Sequence, residues 1–134
     1  MEISISQHKL LREIQQEFSK HYPFLKIEFY KEGHARGEIT SKKDMLNNKL
    51  SVGEVQPVNN KGIVRMNSHM KIAELEKEFE GLGLPVQVFY KSKEVWLQTG
   101  VTDHRTLAEQ NRRAMEMNSP DASAPEVEDY HEQE

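Results

Sequence analysis

Residues 62–99 decide the predicted fold, and they read GIVRMNSHMKIAELEKEFEGLGLPVQVFYKSKEVWLQT. The apolar run from Ile63 to Met66 predicts a strand, and apolar residues at helical spacing from Ile72 to Leu82 predict a helix. Alternation in Val86 to Tyr90, and again in Val95 to Leu97, predicts two antiparallel strands joined by a short turn. The stretch is therefore expected to fold as strand, helix, strand, turn and strand.

The first half of the chain shows the same order of apolar positions when it is moved by 61 residues without a gap. A slip of one residue would turn the apolar side of a strand to the wrong face, so agreement in both the strand and the helix periods is informative. The alternative is that any two strand–helix–strand segments align about this well. The equivalent positions are Ile3 and Val64, Ile5 and Met66, His8 and His69, Leu11 and Ile72, Ile14 and Leu75, Phe18 and Phe79, Leu25 and Val86, Ile27 and Val88, and Phe29 and Tyr90.

Local signals place the remaining elements. Ser6 and Ser68 precede the two helix patterns, and their hydroxyl groups are expected to act as N-caps. A weak strand is predicted near Ala35–Thr40 and a short helix over residues 42–50. Thr106 is followed three residues later by a glutamate, which is the spacing of a capping box, so a last helix is predicted to run to about Met117.

These elements predict an α+β fold. It is a two-layer sandwich in which two pseudo-duplicated β-α-β-β-α units of about 61 residues form one mixed or antiparallel sheet, with the helices on one face. Residues 1–118 are expected to form a single domain, with a first unit (1–50), a connector (51–61) and a second unit (62–118). Residues 119–134 contain six acids and no Lys or Arg, and this composition predicts a disordered acidic tail.

The composition excludes several classes of protein. The chain has no cysteine, so disulfide scaffolds, thiolate catalysis and Cys-ligated zinc are excluded. Its net charge is −4, but six of the 22 acids lie in the tail, which leaves 16 acids against 18 basic residues and a net charge of +2. A strongly basic nucleic-acid binder is thus not indicated. Neither a signal peptide nor a membrane-spanning apolar run is read, and we expect a cytoplasmic protein.

The predicted sheet has a second face, which carries the candidate binding residues. The positions expected to face the helices are Ile3, Ile5, Leu25, Ile27, Phe29, Val64, Met66, Val86, Val88, Tyr90, Val95 and Leu97. Because side chains alternate along a strand, their neighbours must point the other way. The aromatic and basic residues among those neighbours are Phe89, Trp96, Tyr30, Arg65, Lys26 and Lys91. Phe89 and Trp96 lie on the two strands of one hairpin, where they could be cross-strand neighbours.

Three interpretations of this aromatic face stay open at this point. Another segment of the chain can cover the rings, which makes them ordinary core. Trp, Tyr and Phe also serve as anchors of protein interfaces, including contacts between two copies of a chain. Finally, aromatic rings flanked by Lys and Arg can stack the bases of single-stranded nucleic acid.

No motif in the sequence indicates catalysis, a metal site or a cofactor. His8 and His69 are equivalent under the internal repeat and could share a site, but short matches of this kind usually mark surface residues. The sequence therefore favours a small non-catalytic binding or adaptor domain that contacts a protein partner or its own copy, possible homodimer included. The alternatives are a single-stranded nucleic-acid-binding module that uses the same six residues, and an enzyme with a site at the repeat interface.

Overall fold

The computed structural model describes residues 1–31, 42–58, 61–102 and 104–119. Within these ranges the fold is α+β, with helices and two antiparallel sheets. The predicted strand near Ala35–Thr40 and the tail from residue 120 onward lie outside the described residues. The helices and strands, in chain order, are β1 (Glu2–Ile5), α1 (Leu11–His21), β2 (Leu25–Phe29), α2 (Val52–Val55), β3 (Gly62–Arg65), α3 (Ile72–Glu80), β4 (Val86–Ser92), β5 (Val95–Gln98) and α4 (Leu107–Met117).

The described strands form two sheets instead of the single sheet that the sequence predicts. One sheet pairs β1 with β3, and the other has the order β2-β4-β5. The two-stranded ladder is closed at one end by the backbone of Met1 and Met66, whose N–H and C=O groups bond each other at 2.9 and 3.0 Å. Since β1 and β3 satisfy each other in this way, neither strand joins the other sheet.

The apolar stripes of the helices and strands meet in one core, as the sequence predicts. Leu11, Ile14 and Phe18 of α1 are fully buried, and so are the stripe residues of α3. The predicted helix-facing strand positions are buried as well, except that Val95, near the start of β5, is only half-buried. Burial of these side chains is the main favourable contribution to folding.

The beginnings of α1 and α3 differ from the prediction. Ser6 and Ser68 are not the N-caps, because a turn separates each of them from its helix. The cap residues are Leu10 and Lys71. In both cases a glutamate carboxylate three residues later accepts the backbone N–H of the cap residue, at 2.8 Å for Leu10 and 3.1 Å for Lys71. The missing cap hydroxyl is thus replaced by a carboxylate that bonds the helix start from inside.

The predicted helix over residues 42–50 is wrong. Only Lys42–Asp44 form a single 3-10 turn, and Met45 then makes an isolated antiparallel bridge to Tyr30. The next backbone N–H, that of Leu46, donates to the carbonyl oxygen of Phe29 at 2.8 Å, so this stretch runs along the edge of β2 instead of coiling. The helix of this region is α2, which lies in the predicted connector and is capped by Ser51.

Candidate interaction surface around Trp96

The three-stranded sheet brings four of the six predicted binding residues onto one face. In its register Lys26 lies opposite Phe89 on the neighbouring strand, and Lys91 lies opposite Trp96. Phe89 and Trp96 are therefore diagonal neighbours on β4 and β5, not a directly opposed pair. Alternation along each strand places all four side chains on the face that turns away from the core positions Ile27 and Val88.

Lys26 links the two rings. Its ammonium nitrogen lies 5.1 Å from the centroid of the Trp96 ring and 5.2 Å from that of Phe89. It also forms an ion pair with the Glu28 carboxylate at 3.1 Å. A cation near the face of an aromatic ring is attracted by the ring quadrupole, by about 0.5–2 kcal/mol depending on solvent exposure. These contacts hold the cation at a defined place beside Trp96.

The rings differ in their exposure. Phe89 and Tyr30 are 0% and 1% exposed, and neither belongs to the main hydrophobic core. They correspond to the interpretation in which the rings are covered. Trp96 is only half-buried, because it lies on the edge strand β5, whereas Phe89 lies on the central strand β4. The ring available at the surface is therefore that of Trp96, and Lys91 opposite it is exposed.

Arg65 does not join this surface. It lies on β3, in the two-stranded sheet, where its Nε atom is 2.9 Å from the carboxylate of Glu2. The prediction that Arg65 flanks the aromatic face depended on a single sheet. The separation of the strands into two sheets removes that assumption.

A groove next to Trp96 was not predicted from the sequence. Its volume is about 330 Å³, and it is open to solvent. It is lined by Arg12, Gln15, Gln16, Ser19, Lys26, Ile27, Glu28, Asn48 and Trp96. The α1 side chains were interpreted only as the solvated side of a helix, and Asn48 was assigned to a helix that does not form. No periodicity in the sequence signals that these residues meet the edge of β2.

Hydrogen bonds made by Gln15 organise this groove. Its side-chain amide Nε2 donates to the carbonyl oxygen of Ile27 and to the carboxylate of Glu28, each at 2.8 Å. Its amide oxygen accepts from the Asn48 side chain at 2.9 Å. Gln15 thus joins α1, the edge of β2 and the segment before α2 into one wall.

The charge around Trp96 is positive. Lys26 is the one of the neighbouring cations that pairs with Glu28, whereas Arg12 and Lys91 make no ion pair with any described residue. Both are exposed. The arrangement therefore offers two available cations, a half-buried indole ring and a set of polar side chains within one surface.

The described residues provide no support for a histidine site. Both His8 and His69 are exposed, and they follow β1 and β3 respectively. Because these strands are antiparallel, the two histidines leave the ladder at opposite ends. Within the described ranges no group of three or more His, Cys, Asp or Glu residues could hold a metal ion.

No family model, no curated protein and no solved structure matches this chain. None of the helices in the described ranges has the length and apolar character needed to cross a membrane. Arguments about function therefore depend on the residues and contacts given above.

Proposed function

We propose that this protein is a small non-catalytic binding domain that contacts a protein partner, or a second copy of itself, through the Trp96 surface. We use this name for Trp96, Lys26, Lys91 and the adjoining groove with Arg12. The observation that carries the proposal is the half-exposed indole ring with the Lys26 ammonium held 5.1 Å from it, beside an open groove. Tryptophan is among the residues that contribute most to protein interfaces.

The same observations argue against the nucleic-acid alternative. Stacking of successive bases needs several accessible rings, and Phe89 is fully buried. Lys26 is already paired with Glu28, and Arg65 lies in the other sheet. The cations free to meet a phosphate backbone are too few for the electrostatic term that dominates such binding.

We further propose that the fold consists of two copies of one strand–helix–strand unit related by a pseudo-twofold axis, packed as two layers. The pairing of the strands supports this. Ile3 lies opposite Val64 and Ile27 lies opposite Val88, and the members of each pair are 61 residues apart. Each ladder is thus centred on equivalent residues, as a twofold axis through both ladders requires.

Backbone hydrogen bonds outside the ladders recur in pairs, which also supports duplication. The N–H of Tyr30 donates to Pro85 and that of Lys91 to Phe24, both at 2.9 Å, and the two bonds exchange under a shift of 61 residues. The helix starts are joined to the next cap in the same way in both halves. These bonds run from Leu11 to Leu50 and from Ile72 to Arg105 at 2.9 Å, and from Val52 to Lys9 and from Leu107 to Met70 at 2.8 and 2.9 Å.

Light scattering coupled to size-exclusion chromatography, over a wide range of protein concentration, tests the binding proposal for the second copy. We expect the Trp96→Ala variant to lose any concentration-dependent increase in mass. Met115→Ala is the matched control, because Met115 is an exposed apolar residue on α4, away from the Trp96 surface. An increase in mass that survives in Trp96→Ala, or that disappears equally in Met115→Ala, contradicts the proposal for a second copy.

A further inference from the structure

The Trp96 surface is positively charged, although the whole chain carries a net charge of −4. Arg12, Lys26 and Lys91 contribute three positive charges, and Glu28 contributes one negative charge. The local excess is therefore two positive charges. A local charge opposite in sign to that of the whole molecule favours the encounter with a partner of complementary charge.

The two available cations lie on different elements around the ring. Lys91 is directly opposite Trp96 in the antiparallel ladder, and Arg12 extends from the first turn of α1 into the groove that Trp96 also lines. Neither makes an ion pair with a described residue. An arginine guanidinium presents a planar fork that matches a carboxylate, and a lysine ammonium acts as a point charge.

We propose that the Trp96 surface binds an acidic segment of a partner protein, with an apolar side chain of that segment packed against the indole ring and its carboxylates bonded to Lys91 and Arg12. This inference depends on the proposed function and names the class of partner. The groove is open and at the small end of the range for ligand sites, so it suits a few side chains of an extended segment better than an enclosed small molecule.

The polar side chains of the groove fit this occupant. Gln16, Ser19 and Asn48 line it and can hydrogen-bond to the backbone of an extended segment. Gln15 keeps the wall in place through its bonds to Ile27 and Glu28. Glu28 itself is neutralised by Lys26 at 3.1 Å, so an incoming carboxylate meets little repulsion.

Fluorescence of Trp96 provides the test, because it is the one tryptophan in the chain. The probe is a synthetic peptide in which glutamates flank a leucine, and the matched control peptide has glutamine in place of each glutamate. We expect saturable change with the acidic peptide, an affinity that falls as salt is raised, and binding of the control that is about tenfold weaker. Equal binding of both peptides overturns the acidic class but leaves the Trp96 surface as a binding surface.

Charge variants locate the contact. We expect Lys91→Gln and Arg12→Gln each to weaken binding of the acidic peptide by roughly three- to tenfold. Arg65→Gln is the matched control, because Arg65 lies on the other sheet and pairs with Glu2, and its affinity should not change. A loss in Arg65→Gln as large as that in Lys91→Gln shows attraction by net charge alone and overturns the proposal.

Two further measurements separate other occupants. Oligothymidylate that binds as tightly as the acidic peptide identifies the surface as a general polyanion site and overturns the inference. In the full chain, the six acids at positions 121–134 can be replaced by their amides. We expect unchanged peptide affinity, and a tightening of about tenfold or more would assign the surface to the chain's own acidic segment instead of a partner. If no peptide of any charge alters Trp96 emission and Trp96→Ala changes no association, the proposed function itself fails.

Discussion

Gln15 and Glu76 occupy equivalent places in the two halves of the molecule and form opposite kinds of bond. Each lies in the second turn of its helix, and they are 61 residues apart. Gln15 donates its amide N–H to the carbonyl oxygen of Ile27, whereas the Glu76 carboxylate accepts the backbone N–H of Val88 at 3.0 Å. Ile27 and Val88 are themselves paired at the centre of the β2–β4 ladder.

This exchange of donor for acceptor decides what happens at the outer side of each strand. In the second half the carbonyl oxygen of Val88 accepts the backbone N–H of Thr99 at 3.1 Å and its hydroxyl at 2.9 Å, so the chain after β5 covers β4. In the first half Gln15 occupies the corresponding carbonyl, and a groove remains beside Ile27. One helix–strand arrangement thus produces a buried interior in one half and an accessible edge in the other.

The largest effects are expected from a pair of core phenylalanines that tests whether the halves are alike. Phe18 and Phe79 are equivalent, and each is fully buried. We expect Phe18→Ala and Phe79→Ala each to lower the free energy of unfolding by about 3–5 kcal/mol, because a large cavity is left in the core. Urea unfolding measures both. A loss confined to one variant would show that the halves do not contribute equally to one core.

Glu76 and Gln15 give the next largest effect, and here the halves should differ. Glu76 is buried, and its removal leaves the N–H of Val88 without this acceptor. We expect Glu76→Ala to cost about 1–3 kcal/mol of unfolding free energy, the usual penalty for a buried polar group that loses its partner. Gln15 is half-buried beside an open groove, where water can replace its amide, so Gln15→Ala should cost less than about 1 kcal/mol.

Hydrogen exchange of the two strand backbones checks the same comparison independently. The amide of Val88 should exchange faster in Glu76→Ala, whereas exchange in β2 should change little in Gln15→Ala, since Gln15 bonds a carbonyl group. Equal costs for the two substitutions would contradict the assignment of β4 as interior and of β2 as edge.

Sequence patterns predicted the elements whose cause is local. The alternation in Leu25–Phe29 gave β2 with its observed bounds, and Thr106 is the N-cap of α4 as its capping-box spacing predicts. The pattern also placed Lys26, Phe89, Lys91 and Trp96 on one face of a sheet, and the register agrees.

Features that depend on tertiary contacts were not predictable in this way. Alternation cannot tell which strands pair, so Arg65 was assigned to the wrong sheet. It also cannot tell whether an outward-facing ring is covered, as Phe89 is. The groove depends on Gln15 reaching the backbone of Ile27, a contact that involves no apolar residue on the helix side and so leaves no periodic signal.

The ends of α1 and α3 provide a smaller test of the difference between the halves. Tyr22 ends α1 with φ −125°, whereas the equivalent Gly83 has φ +74°, which side chains rarely adopt. We expect Gly83→Ala to cost about 1–2 kcal/mol, since a Cβ there is strained and would displace the side chain of Gln56. Gly81→Ala is the control: Gly81 is in the right-handed helical region, so this change should be neutral or slightly stabilising in thermal unfolding. A neutral Gly83→Ala would contradict the left-handed end of α3.

The smallest effect concerns the two capping boxes, on α4 and on the single-turn helix α2. The pKa of Glu109 is lowered, first because its carboxylate accepts the backbone N–H of Thr106 and then because of its bond with the Thr106 hydroxyl. A carboxyl group with a lower pKa in the folded state stabilises the fold above its unfolded pKa, and this contribution is lost as pH falls through the folded pKa. Glu109→Gln should therefore flatten the decline in melting temperature between neutral and acidic pH. Because Glu109 is fully exposed, the change will be small.

Thr106→Ala and Ser51→Ala compare the caps themselves at neutral pH. The Thr106 hydroxyl accepts the backbone N–H of Glu109 at 3.1 Å at the start of an 11-residue helix, and Ser51 makes the corresponding bond at 3.2 Å for a helix of four residues. We expect Thr106→Ala to cost about 1 kcal/mol, the typical value for an N-cap. Ser51→Ala should cost less, because the short helix also receives the backbone bond from Val52 to Lys9 at 2.8 Å, which fixes its first turn without the cap. If Ser51→Ala proved the more costly of the two in urea unfolding, the cap and not that backbone contact would hold α2 against α1.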